Sequence, residues 1–221
     1  MSQPTNDART TGAAAQADGA LQLDGERDSI TAYYRDWAAS YDQDMLEEGY
    51  AGPFIIAGLA AMITDAGSSI QAIDVGCGTG LVGRLLHQRR PAVRILGVDL
   101  SEEMAEIAAR DDSYVSSLGG VDLLEYAAAE DAPTFPLVLC CGTLTHGHVG
   151  VEGLDALLRI TSAGGHLAVS VRHSHSVEHG YRDKVAALAA AGAVDVVSEL
   201  INAPYLDNGG ADYWLLRKAA G

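Results

Sequence analysis

The strongest constraint on this chain is the stretch Asp74-Val-Gly-Cys-Gly-Thr-Gly80, which continues a short apolar run at 72–75. Glycines at 76, 78 and 80 remove the Cβ where backbone must turn tightly and approach a ligand. From 81 to 88 the apolar spacing becomes helical. Strand, glycine turn and helix in that order put a nucleotide-like ligand at the carboxyl end of a strand in a doubly wound sheet. The next strand, 93–98, ends at Asp99, placed to accept hydrogen bonds from two ribose hydroxyls.

The alternation continues along the chain. Ser101 is a candidate N-cap, with Glu102 and Glu103 suited to the first turn of a helix. Strands are expected at 137–141 and 167–171, with a helix at 152–160 and a turn at Gly164-Gly165 between them. An Ala-rich helix at 182–191 and closing strands at 194–200 and 212–216 follow, whereas 114–120, where a third strand belongs, is poorly patterned. Repeated strand and helix predict an α/β fold around a parallel sheet.

Ahead of this, Tyr33, Trp37, Tyr41 and Met45 recur every four residues and predict an amphipathic helix. A second helix is expected after Gly52, with Pro53 in its first turn. Residues 1–27 contain no aromatic, Val or Ile and are expected to be a disordered tail. That leaves 28–221 as a single domain, in which 28–65 forms a helical lid.

Charge and cysteine content narrow the partners. Fourteen Lys and Arg against thirty Asp and Glu give a net charge of -16, which disfavours nucleic acid and anionic lipid. Three cysteines, two of them adjacent, fit a reducing compartment. The longest apolar run, 53–63, is below the roughly 18 residues that span a bilayer. A cytoplasmic protein without membrane contact is expected.

Gly78-Thr-Gly80-Leu-Val-Gly83 also reads as G-x-G-x-x-G, the dinucleotide fingerprint, so a nicotinamide oxidoreductase is one alternative. An acid two residues before Gly76, with Gly76 already making the turn and Gly83 left for helix packing, suits S-adenosylmethionine better. Asp74 to Gly80, Gly97-Val-Asp-Leu-Ser101 and Ala163-Gly-Gly165 resemble the successive motifs of class I S-adenosylmethionine-dependent methyltransferases. Tyr34-Arg-Asp-Trp-Ala-Ala-Ser-Tyr-Asp42, Tyr50-Ala-Gly-Pro53 and Gly142-Thr-Leu-Thr-His-Gly-His-Val149 resemble the methyltransferase-like family of the Williams-Beuren syndrome region. Two positions depart from the pattern: Phe135-Pro136 stands where Phe-Asp is usual, and Ala163-Gly-Gly where Pro-Gly-Gly is usual.

The resemblance implies a Rossmann-like, seven-stranded, mostly parallel sheet with an antiparallel last strand, helices on both faces and an amino-terminal helical lid. Carried over by position, Asp74, Gly76, Cys77, Gly78 and Gly80 cradle the methionine portion of the cofactor. Asp99 holds the ribose, Leu100 beside it also contacts the cofactor, Met104 packs near adenine, and Asp122 with Leu123 reads the adenine edge. Cys141 and Gly142 lie beneath the sulfonium.

Beside the resemblance, the aromatic density around Trp37 and Tyr41 has two readings: ordinary core, or a lid whose ring faces hold a sulfonium or ammonium. His146 and His148, after the fourth strand, are the candidate catalytic bases, with His146 favoured; both also read as structural loop residues. His173, His175 and His179 follow the fifth strand, on a loop expected to face the substrate. No metal is expected, since paired zinc-ligand spacings are absent. The expected activity is methyl transfer from S-adenosylmethionine to an N, O or C nucleophile of a small molecule. The alternatives are a non-methylating reaction on the same fold, cyclisation or decarboxylation, and a non-catalytic S-adenosylmethionine-binding module.

Overall fold

The computed structural model describes residues 12–20, 23, 26–65, 67, 69–145, 149–207 and 209–221. In chain order the first elements are α1 (Ala13–Ala20), α2 (Arg27–Trp37), α3 (Tyr41–Glu47), α4 (Gly52–Met62), β1 (Gln71–Val75) and α5 (Leu81–Arg89). Then come β2 (Arg94–Val98), α6 (Glu102–Ala108), β3 (Tyr114–Leu118), α7 (Leu123–Ala128), β4 (Phe135–Leu144) and α8 (Glu152–Ile160). The chain closes with β5 (Thr161–Arg172), α9 (His173–Glu178), α10 (Tyr181–Ala190), β6 (Val194–Leu206) and β7 (Gly209–Lys218).

Successive strand residues point to opposite faces, and here both faces are apolar. Leu137, Leu139, Tyr213 and Leu215 enter the core that packs on α4 and α5, while Val138, Cys140, Trp214 and Leu216 enter the core under α8 and α10. The sheet therefore has seven strands in the order β3-β2-β1-β4-β5-β7-β6. β1 pairs in parallel with β2 (Ala72 beside Ile95) and with β4 (Ala72 beside Leu137). Only β7 runs against its neighbours: β5 and β6 each pair with it antiparallel. This is the Rossmann-like, mostly parallel sheet with an antiparallel last strand that the resemblance implies. After β3 the chain crosses back to build β4 on the other side of β1, so the sheet switches direction between β1 and β4, where a ligand crevice forms.

Three local expectations change. The helix expected through Tyr33 to Met45 is two helices, broken at 38–40. Ser40 and Trp37 both donate to the Asp44 carboxylate there, at 2.8 and 2.7 Å, which holds α3 at a new angle. The expected turn at Gly164-Gly165 is an irregularity inside the longer β5, where pairing with β4 shifts between Phe135 and Leu137. Within the stretch read as a tail, Ala13–Ala20 is a helix with Ala17 and Ala20 buried. Small residues let it lie close against α3, and the Tyr33 hydroxyl donates to the Gln16 carbonyl to pin it there. Among the described residues no helix is long and apolar enough to cross a membrane.

Candidate active site

A cavity of about 260 Å³ opens over the carboxyl ends of β1, β2, β4 and β5. Its floor is the turn after β1. Gly76 (φ 69°) and Gly78 (φ 54°) hold left-handed backbone that disfavours other residues. A Cβ on Gly76 would collide with Thr143 Oγ1, whereas one on Gly78 would meet nothing within 4 Å, so at Gly78 bare backbone faces open space. Asp99 ties this turn to β2: its Oδ2 accepts from Gly78 N at 2.7 Å and its Oδ1 from Ser101 N at 2.8 Å. Ser101 in turn caps α6 by accepting from Met104 N at 3.3 Å.

The roof comes from the amino-terminal helices. Tyr34, Trp37 and Tyr41 line the cavity, with the Tyr34 and Trp37 rings stacked at 6.0 Å and Tyr41 edge-on to Trp37 at 4.7 Å. Trp37 is only 2% exposed. At the β4 end, the Tyr50 hydroxyl lies 3.4 Å from Cys141 Sγ and 3.4 Å from the Tyr205 hydroxyl. Backbone bonds from Ala51 N to Tyr205 O (2.8 Å) and from Asp207 N to Glu48 O (3.0 Å) fasten this roof to the β6 end.

Burial sets the protonation states. The phenols of Tyr34, Tyr41, Tyr50 and Tyr205 are pushed up by desolvation and stay neutral donors. Desolvation likewise pushes the Cys141 thiol up to about 12, so it is no thiolate. Burial raises Asp99 too, and the amides of Ser101, Gly78 and Leu100 offset part of that rise. The result is a pocket with electron-rich ring faces, a backbone cradle and, at Asp99, an amide-anchored carboxylate beside the glycine turn.

Of the residues singled out in the sequence, Trp37, Tyr41, Gly76, Gly78, Asp99, Leu100, Met104, Asp122, Leu123, Cys141 and Gly142 all line this cavity. Cys77 lies in a small recess beside it, with Tyr41 and Tyr50. Asp74 and Gly80 line neither. Asp74 is buried behind the turn, accepting from the Tyr114 hydroxyl at 2.6 Å, and Gly80 caps α5 against Tyr114. Asp122 is already a helix cap, its Oδ1 accepting from Leu124 N and Glu125 N.

His146 and His148 lie outside the described residues. His173, His175 and His179, expected on a substrate-facing loop, do not line the cavity, because α9 starts directly after β5 and turns them away. His173 Nδ1 bonds the buried Asp212 at 2.7 Å, and the His175 ring packs on His179 and Tyr181. Among the described residues no group of three or more His, Cys, Asp or Glu could hold a metal. Sequence reasoning did not reach Arg172 and Tyr205, and it saw Tyr50 only as part of a motif; no periodicity ties 50, 172 and 205 together.

A family model described as a methyltransferase domain matches residues 73–167, from β1 into β5. Trans-aconitate 2-methyltransferase of Streptomyces avermitilis is 35% identical over 103 residues, 44% of this chain; the match spans 37% of that relative's length. Among solved structures, a TehB-like S-adenosylmethionine-dependent methyltransferase from Corynebacterium glutamicum superposes with a TM-score of 0.58 at 18% identity, over 85% of this chain and 98% of its own. The N-methyltransferase NodS of Bradyrhizobium japonicum, solved with S-adenosylhomocysteine, gives 0.53 at 15% identity, over 75% of this chain and 86% of its own. At such identities the two structures speak for the fold. The family model thus marks residues 73–167 as a methyltransferase domain, and the two structures show its fold over most of the chain.

Proposed function

We propose that the whole chain transfers the methyl group of S-adenosylmethionine to a nucleophilic N, O or C atom of a small molecule. The observation that carries this is the amide-anchored Asp99 carboxylate beside the bare backbone of Gly78, in a cavity roofed by stacked aromatic rings. S-adenosylmethionine supplies an already activated methyl group, so the protein's part is to bind, orient and exclude water. Asp99 retains acceptor capacity beyond its amide bonds and would accept from the ribose hydroxyls. Leu100 and Met104 would flank adenine beside Asp122 and Leu123. The glycine turn, Cys141 and Gly142 would hold the methionine portion, with the Trp37 and Tyr41 faces toward the positive sulfonium. The residues present fit the cofactor.

Lid closure belongs to the same reading. Residues 28–221 act as one unit, with 28–65 as the helical lid over both ligands. The resemblance to the Williams-Beuren region family supports this, because Tyr34, Trp37, Tyr41 and Tyr50 of its motifs all line the cavity. His146 and His148 stand just past β4 in the sequence and are the candidate bases for an acceptor atom that carries a proton. Trans-aconitate, the substrate in the relative's name, is a small molecule, in keeping with the small cavity. The reduced thiols Cys77, Cys140 and Cys141, all buried, fit the cytoplasm.

Calorimetry with S-adenosylhomocysteine tests the cofactor site. Wild-type protein should bind it, and Asp99→Ala should lose roughly 2–4 kcal/mol as the ribose loses a charged acceptor. A folded Asp99→Ala protein of unchanged affinity would remove Asp99 from the site. Methyl-labelled cofactor tests the reaction: label must appear in a small-molecule product, and binding without transfer to any acceptor would instead mark a binding module.

A further inference from the structure

Past its buried middle, β4 divides its side chains between two faces. Cys140 and Leu144 turn into the core under α8, while Cys141, Thr143 and Thr145 line the cavity. Leu144 pairs with Val171, so Thr145 stands where β4 and β5 end, on the other side of β1 from Asp99. It is 7% exposed. Among the described residues its Oγ1 is buried without a hydrogen-bond partner, and no other buried or half-buried residue of the cavity lining has such an atom. Its neighbours along the wall are engaged. Thr143 Oγ1 donates to the Val75 carbonyl at 3.3 Å, and Glu152 accepts from Gly150 N at 3.2 Å. The Tyr50 hydroxyl lies 3.4 Å from both Cys141 Sγ and the Tyr205 hydroxyl, and the Arg172 guanidinium carbon lies 5.8 Å from the centre of the Tyr205 ring.

A hydroxyl has one hydrogen to donate and two lone pairs to offer, and burying it unbonded forfeits the bonds it made with water. Folded proteins leave few such groups. Packing does not call for the oxygen, since Val has the same shape and would fill this position without that cost. Thr does carry its hydroxyl and its methyl on one Cβ, so rotation about χ1 exchanges the two without moving the backbone. A rotation that turns the methyl inward brings the hydroxyl to the cavity, and a polar atom bound there would favour it.

We propose that Thr145 selects the methyl acceptor: its hydroxyl hydrogen-bonds a hydroxyl, carbonyl or amide that the acceptor carries besides the atom to be methylated. This rests on the methyl-transfer reading above and adds a specificity-determining residue to it. Under that reading Cys141 and Gly142 hold the methionine portion of the cofactor, and Thr145, three residues further along the chain, meets the molecule that lies beyond it.

The test gives the full chain methyl-labelled S-adenosylmethionine, with a small-molecule cell extract as the source of acceptor. Thr145→Val should slow labelling by about 10- to 100-fold, chiefly through a higher apparent KM for the extract, while S-adenosylhomocysteine affinity stays within about twofold. Thr145→Ser keeps the hydroxyl and should recover most of the rate. Urea midpoints separate this from a structural role: Thr145→Val removes no bond made within the folded protein, so its midpoint should match or exceed that of the wild type. A lower midpoint, undiminished labelling by Thr145→Val, or a Thr145→Ser variant as slow as Thr145→Val would each overturn the proposal. So would a labelled product that carries no hydroxyl, carbonyl or amide besides the methylated atom. Wild-type protein that labels nothing in the extract would instead bring down the methyl-transfer reading, and this inference with it.

Discussion

Tyr114 links two parts of the glycine turn through one hydroxyl. It donates to Asp74 Oδ2 at 2.6 Å and accepts from Gly83 N at 3.0 Å, so the acid behind the turn and the first turn of α5 share a single anchor. Asp74 Oδ1 is buried with no hydrogen-bond partner among the described residues. Burial pushes this carboxyl up to about 7; the Tyr114 hydroxyl opposes the rise and Asp99 adds to it. A folded value above the unfolded one means that the native state holds the proton more tightly. Its contribution to stability is therefore complete below about pH 4 and is lost as pH rises toward about 7. Urea midpoints at pH 5 and pH 7 should show that loss in the wild type, and Asp74→Asn, which cannot ionise, should lose less between the two. Matching losses would mean that Asp74 titrates as in the unfolded chain. Tyr114→Phe leaves the acid and the Gly83 amide each short of a partner and should cost about 1–3 kcal/mol at pH 7, read from the same midpoints. A variant as stable as wild type would show that the anchor contributes nothing net.

At the scale of elements, α3 is latched to the glycine turn rather than resting on it. Asp42 accepts from Thr79 Oγ1 within the turn and from Arg84 on α5 at 2.5 Å, and Arg84 also donates to the Thr79 carbonyl at 3.0 Å. Ligand that stiffens the turn should therefore stiffen the lid. By hydrogen exchange, amides of 33–45 should gain protection when S-adenosylhomocysteine is added, and Asp42→Ala should lose most of that gain while the strands keep theirs. Equal protection with and without ligand would make these helices ordinary core. The same elements show what the sequence could and could not disclose. The β1, glycine turn and α5 unit was legible because its period changes within a few residues. The break at 38–40 was not, because it depends on the Asp44 carboxylate gathering two donors. α1 was hidden by its composition: Ala residues carry no strong apolar signal until α3 and Tyr33 supply partners. β3 was obscured because it is an edge strand that buries Tyr114 yet exposes Val115 and Leu118.

For the molecule as a whole, the site divides by how far its parts travel along the chain. Gly76, Gly78, Asp99 and Met104 fall within two consecutive strand–helix units, so spacing alone could assemble them. Arg172, Tyr205 and Tyr50 meet only because β7 runs backwards and returns β6 to the roof, a long-range arrangement that leaves no local pattern. Under the proposed function the first group would serve the cofactor common to the fold, while methyltransferases of one fold diverge in their acceptors. Charge then separates acceptor classes that the fold leaves open. Fourteen cations against thirty acids give a negative field. RNA binding needs several exposed cations whose phosphate contacts release counterions. With methyl-labelled cofactor, total cellular RNA should therefore gain no label over a no-enzyme control even at low salt, while a small-molecule extract should. RNA labelling that appears at low salt and falls steeply as salt is added would reveal a phosphate-tracking face, and the acceptor would then have to be sought among nucleic acids.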